Sequence, residues 1–170
     1  MSTSVRPWTY LRVGLIAVAA CCVLFVIGWM AYDFSQEMKR QEGMTSAMVK
    51  DGDQDADFGF FESAAGLYTA AIELNPRLAT AYEGLALSYN ALERYDESLA
   101  ASSKCIKLDS ANFDCWVHKG YAAYQLDDCT TAIVALYHAS MIASSPKEQD
   151  IADSGLGSFM DSEKCVGVSP

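Results

Sequence analysis

Shifting the chain against itself by 34 residues aligns residue classes over three successive units, and this constrains the fold more than any other feature. Met48 meets Tyr82 and then Trp116; Gly52 meets Ala86 and then Gly120; Phe61 meets Tyr95. Ala64 meets Ser98 and then Ala132, Ala71 meets Cys105 and then Ala139, and Leu74 meets Leu108 and then Ile142. Small residues stay small and large apolar ones stay large. Such a unit is too short to bury an apolar face alone, so neighbouring units must stack on each other to make a core.

Each unit reads as two helices joined by a short turn. In the second, Thr80–Ala91 forms the first helix, with Tyr82, Leu85, Ala86 and Tyr89 on one face and capping-box spacing in TAYE, Thr80 to Glu83. Leu92-Glu93-Arg94 is the turn and Asp96–Leu108 the second helix. Small residues at Ala86 and Ser98 let the two helices approach closely. The first unit breaks at Asn75-Pro76, because proline disfavours helix at the residue before it.

This pattern resembles the tetratricopeptide repeat. The residues that carry it are Gly52, Gly59, Phe61, Ala64, Tyr68, Ala71, Leu74 and Pro76 in the first unit. In the second they are Tyr82, Leu85, Ala86, Tyr89, Tyr95, Ser98 and Leu108, and in the third Trp116, Gly120, Tyr124, Ala132, Ala139 and Pro146. Asp51 and Lys119 stand where the family usually has a large apolar residue, and Pro146 lies two residues late. The first helix of the first unit, about 46–58, is acid-rich and a poor helix former. The resemblance implies an all-α fold: a short right-handed α-solenoid over 45–146, in units 45–78, 79–112 and 113–146, closed by a capping segment over 147–170. Lys147–Asp153 is expected to start a helix over the open apolar edge of the last unit. SGLGS, Ser154 to Ser158, reads as a turn.

Ahead of the repeats, Val13 to Ala31 contains no charged residue. About 20 apolar residues at a rise of about 1.5 Å cross a hydrocarbon layer of about 30 Å. Trp8, Tyr10, Trp29 and Tyr32 sit near the two ends, where amphipathic rings favour the membrane interface. We therefore expect a tail over 1–12, a transmembrane helix over 13–32 and a polar connector over 33–44. A cleaved signal peptide has a shorter apolar core. A lipid anchor at Cys21, in the box VAAC, is an alternative, but apolar sequence continues past it. All 22 acidic residues follow the apolar run, and only Arg6 and Arg12 of the 12 basic ones precede it. The part after the run thus carries 10 − 22 = −12, which disfavours nucleic acid and anionic lipid as partners. The expected placement is a single-pass membrane protein with its N-terminus cytoplasmic and the repeats on the other side.

The stretch DGDQDADFGFFE, 51–62, has nearly calcium-loop spacing in Asp51, Asp53, Asp55 and Glu62. It has Ala56 where a sharp-turn glycine is needed, and the repeat phase already gives Gly52, Gly59 and Phe61 other work. A calcium-responsive binding module is the alternative function it would support. Four cysteines follow the apolar run. Antiparallel helices bring Cys105, near the end of one second helix, to Cys115, near the start of the next first helix. Cys129 lies at the opposite end of that layer, so Cys105–Cys115 is the expected disulfide, with Cys129–Cys165 if the tail folds back. Four free thiols are the other reading. Cys115 and His118 share a helical face, but His138 and Cys129 have no reason to join them around a metal. Two histidines and no nucleophile-and-base signature give catalysis little to build on. GLG at 155–157 follows no strand, so it is no phosphate loop.

Proteins of the tetratricopeptide type mostly bind segments of other proteins in a groove lined by the first helices. Carried over by position, the groove residues are Glu83, Leu87 and Asn90, then Val117, Tyr121, Tyr124 and Gln125, with Asp53 and Asp57 from the first unit. Some family members clamp a carboxylate with paired Lys, Arg and Asn, and this face lacks that cluster. Tyr121 and Tyr124 have a second reading, as solenoid core. The expectation is a non-enzymatic interaction module, an adaptor or accessory subunit of a membrane or envelope complex. Its partners would be proteins, with no cofactor, nucleic acid or small-molecule substrate. A lipid-anchored assembly factor is the remaining alternative.

Overall fold

The 34-residue period is present in the backbone itself. In a computed structural model, which describes residues 7–165 and side chains from residue 21, positive φ occurs at Gly59 (81°), Glu93 (59°) and Asp127 (61°). These positions are 34 apart, and each lies in the turn between the two helices of one unit. The helices are α1 (Pro7–Asp57), α2 (Phe61–Leu74), α3 (Ala79–Ala91), α4 (Tyr95–Leu108), α5 (Phe113–Gln125), α6 (Cys129–Ile142) and α7 (Pro146–Met160). A 3-10 turn follows at Glu163–Cys165.

The chain divides into two units, residues 1–43 and 44–170. In the first, α1 carries exposed apolar side chains, among them Val23, Leu24, Phe25, Ile27 and Trp29. Among the described residues no helix is long and apolar enough to cross a membrane. The side chains of residues 13–20, which belong to the expected span 13–32, lie outside those described, as does the tail over 1–6. The connector expected over 33–44 is helical. Between Trp8 and Asp57 there is no proline, so nothing forces α1 to break where the composition changes.

In the second unit packing overrides weak propensity. The acid-rich stretch at the end of α1 is helical because its other face is covered. Thr45 and Gly52 are buried, and Val49 and Ala56 pack against a core of Ala64, Ala65, Tyr68, Leu85, Ala86 and Ala101. Tyr68 of α2 lies between two glycines. A Cβ on Gly52 would come within 2.8 Å of its ring and one on Gly84 within 2.2 Å. Two periods further on, Leu136 of α6 lies between Gly120 and Gly155, where an added Cβ would be 2.9 Å away in each case. Glycine here is the device that lets a first helix settle on a large side chain of the second.

Two local expectations need correction. The capping box at Thr80–Glu83 does not form: α3 starts one residue earlier, Leu78 is its N-cap, and no side chain caps it. The capping box is at the start of α7, where Ser145 and Glu148 satisfy each other's backbone N–H and Pro146 occupies the first turn. The expected turn SGLGS is helical and inside α7. Gly155 serves close approach to Leu136, and Ala152, one turn earlier, is fully buried.

Candidate functional site

The first helices of the three units present three rows of equivalent positions: Val49, Glu83 and Val117; Asp53, Leu87 and Tyr121; Ala56, Asn90 and Tyr124. The outer rows fasten neighbouring helices. The Glu83 carboxylate accepts a hydrogen bond from Asn112 Nδ2 at 2.7 Å, and Asn112 also caps α5 through Cys115 N. Asn90 Nδ2 donates to the His118 carbonyl at 3.2 Å, while Asn90 Oδ1 is buried without a hydrogen-bond partner. The first contact runs from the N-cap of α5 to α3, the second from α3 to α5 itself. Val117 packs with the cluster of Phe113, Ala139 and Ala152, the last of these on α7. Tyr124 stacks on Phe159 of α7 at 4.1 Å, with ring planes 2° apart.

The middle row is the exposed one. Leu87 is 40% and Tyr121 41% exposed, and Tyr121 meets Tyr95 of α4 edge-on at 6.2 Å. Asp53 and Asp57 are exposed, and Asp53 accepts from the Tyr68 hydroxyl at 2.7 Å. Gln125 is half-buried. Of the nine residues expected in the groove, Asp53, Asp57, Leu87 and Tyr121 are therefore exposed, and Leu87 and Tyr121 are the apolar and aromatic ones among them. Glu83, Asn90, Val117 and Tyr124 are joints of the scaffold, because residues one turn to either side of the middle row point at the adjacent helix.

The face is acidic. Burial, and then the nearby Asp114, Asp53 and Asp109, push the Glu83 carboxyl above its usual value against the Asn112 hydrogen bond, which lowers it. Burial first, then the hydrogen bond and charge of Asp53, raise Tyr68 well above the usual range, and Glu83 and Asp57 add to this. Burial lowers His118, with Asp114 acting against it. Arg94 pairs with Glu62 and Glu97, and Lys164 with Asp127, and no ion pair among the described residues neutralises these carboxylates.

The calcium alternative requires correction. Asp51, Asp53 and Asp55 lie within α1, where a step of about 100° per residue puts Asp53 on the face opposite Asp51 and Asp55. Asp55 accepts from Ser63 and Glu62 faces Arg94. Among the described residues no group of three or more His, Cys, Asp or Glu could hold a metal ion. The Cys115–His118 alternative meets the same obstacle. Cys115 is bonded to Cys105, Cys129 is bonded to Cys165, and His138 stacks on Trp116 at 4.6 Å. Cys21 and Cys22 are free and exposed.

Sequence reasoning missed two members of this region. Asn112 sits three residues before Cys115, a spacing that marks a helix N-cap and could have been read. Phe159 gave no signal, because two glycines beside it looked like a turn.

No protein-family model matches the chain. A stretch of 97 residues, 55% of this chain, is 36% identical to the protein SGT1 homolog of Oryza sativa subsp. japonica and covers 26% of it. The chain thus spans about a quarter of that relative's length. Among solved structures, the Arabidopsis OM64 TPR domain matches with a TM-score of 0.66 at 21% identity, over 70% of this chain and 96% of that one. The second TPR domain of human RPAP3, solved in complex with the HSP70 peptide SGPTIEEVD, matches at 0.66 and 18% identity, over 72% and 99%. The stacked hairpins after residue 44, their 34-residue register and these likenesses establish that this chain has the tetratricopeptide-repeat fold.

Proposed function

We propose that the chain is a non-catalytic protein-binding module held at a membrane by its N-terminal apolar helix, and that it acts as an adaptor or accessory subunit of a membrane complex. The observation that carries the binding reading is the exposed pair Leu87 and Tyr121, in register on α3 and α5 and bordered by unneutralised carboxylates. An aromatic and an aliphatic side chain left open on adjacent packed helices form the core-and-rim arrangement of a small interface.

Charge indicates the kind of partner. The peptide in the RPAP3 structure, SGPTIEEVD, is acidic. The equivalent region here gathers Asp53, Asp57, Glu83 and Asp114, which would repel such a ligand. A segment with cationic side chains flanking an apolar one complements it.

Two further observations favour the membrane and compartment. The run from Val13 to Ala31 holds no charge, and the described part of it leaves Phe25 77% and Trp29 63% exposed. The two disulfides suit an oxidising, non-cytoplasmic compartment for the repeats.

The test is alkaline extraction of native membranes, followed by mild-detergent purification with cross-linking and mass spectrometry. Retention in the membrane, and one partner set linked through α3 and α5, support the proposal. Release by alkali would remove the anchor. Purification without a partner would remove the subunit role.

A further inference from the structure

The last helix and the turn after it cover the third-unit end of the stack. α7 lays Ala152 and Gly155 onto α6, and Phe159 lies flat on Tyr124. Beyond Phe159 the chain is polar, running Asp161-Ser162-Glu163-Lys164 up to Cys165. Lys164 pairs with Asp127 at 2.7 Å, both side chains being largely exposed, and its ammonium stands 5.4 Å from the Tyr124 ring centre. Cys165 is 1% exposed and bonded to Cys129, the first residue of α6, over the buried Ile133. Tyr124 and Leu156 pack against that small cluster.

The two disulfides differ in what they hold. Cys105–Cys115 spans 10 residues and joins α4 to α5, helices already packed on one another inside the stack. Cys129–Cys165 spans 36 residues and ties down a polar end whose backbone hydrogen bonds run only to Gly157, Phe159 and Ser162 of the same C-terminal stretch, and which otherwise reaches the stack through one exposed ion pair, the Tyr124 ring and a contact of the Lys164 carbonyl with Cys129 Sγ. An exposed ion pair adds little. Residues 161–165 are thus tied to α6 chiefly by the sulfur–sulfur bond, and Phe159, in the last turn of a helix that itself packs on α6, sits next to this tether.

We propose that Cys129–Cys165 is a redox latch that keeps the C-terminal segment folded over Tyr124. A dithiol reductant transfers two electrons and two protons to the pair. The Cys129–Cys165 bond breaks, two thiols form, and the reductant closes to its own disulfide. The released turn and the last turn of α7 then leave Tyr124 and Leu156, and the open face lengthens from Leu87 and Tyr121 to the third-unit end. That the uncovered surface serves binding rests on the function proposed in the preceding section.

The test uses the full chain in mild detergent, with hydroxyl-radical footprinting and amide hydrogen exchange. The states compared are oxidised, treated with dithiothreitol, and the C129S/C165S variant. Oxidation of Tyr124 and Phe159 is expected to rise about threefold or more, and amides of 156–165 to exchange faster, while Tyr68 and the amides of α2 to α4 stay protected. Because dithiothreitol also reaches the other disulfide, the C105S/C115S variant is the control, and it should leave Tyr124 covered. If Tyr124 stays covered in C129S/C165S, packing holds the segment and the latch is refuted. If Tyr68 loses protection together with Tyr124, the bond is a staple for the whole unit, which also refutes it. Neither readout involves a partner, so a failure of the binding proposal leaves this result standing.

Discussion

Replacing Gly84 by alanine should destabilise the repeat unit, although Gly→Ala inside a helix ordinarily stabilises. The helix itself would gain about 1 kcal/mol. Against this, the new Cβ would lie 2.2 Å from Tyr68 Cζ, with two further ring atoms at 2.5 and 2.7 Å. Carbon atoms rest about 3.5 Å or more apart, so the ring must retreat by more than about 1 Å. It has little room. Tyr68 is 1% exposed, α1 closes its other side at Gly52, and its hydroxyl is held by Asp53. Overpacking of a tight core costs about 1–3 kcal/mol, and losing a hydrogen bond to a charged acceptor about 1.5–3. After the helix gain, a net loss of about 1.5–5 kcal/mol remains. Urea unfolding of the detergent-solubilised chain, followed by circular dichroism, should show the midpoint falling by about 1–2 M at unchanged slope. Gly66→Ala is the internal control, since that glycine is exposed on α2 with nothing within 4 Å of an added Cβ. It should gain up to about 1 kcal/mol. Combining Gly84→Ala with Tyr68→Leu should cost less than the sum of the two. If Gly84→Ala proves as stable as the parent, the argument from close packing is wrong.

Glu93→Gly should stabilise by about 1 kcal/mol, because Glu93 holds a φ of 59° that costs a residue with a Cβ and costs glycine nothing; the same unfolding curve reads it. Glu83→Gln should be more stable than the parent at pH 7. The raised pKa means that the folded chain holds this proton more tightly than the unfolded chain does, so ionisation weakens the fold. Stability from this group is present in full below the ordinary glutamate range and is lost as pH rises through the folded value, so the advantage of Gln should vanish near pH 4 in unfolding curves taken across pH. Removing Cys105–Cys115 as a Ser pair should cost about 3 kcal/mol from the loop it closes, read by the same midpoint shift.

Periodicity made the repeat legible because each unit solves the same packing problem. Residue size at Gly52, Ala86 and Gly120 has to match, and so does the backbone reversal at Gly59, Glu93 and Asp127. Two of those three reversals carry no glycine, so the turn was found from the register and not from turn chemistry. The end of α1 was misjudged as a poor helix because propensity cannot see Tyr68 pressed onto Gly52. Ser154 to Ser158 misled for the same reason: small residues signal a turn and a tight helix contact alike. Within the site, position alone proposed Glu83, Asn90, Val117 and Tyr124. It could not tell side chains left exposed from side chains that face the next helix. For Glu83 and Tyr124 that distinction depends on Asn112 and Phe159, one in a linker and one next to a stretch that reads as a turn.

The most direct test of the account is site-specific photo-cross-linking in native membranes, with a benzoyl-phenylalanine placed at Tyr121 and, in a separate chain, at Tyr137 on α6. Both side chains are comparably exposed, at 41% and 49%. A discrete protein adduct is expected from position 121, carrying a cationic segment at the linked site, and none from 137. An absence of adducts at 121, or the same adducts from both positions, would contradict a binding face on α3 and α5.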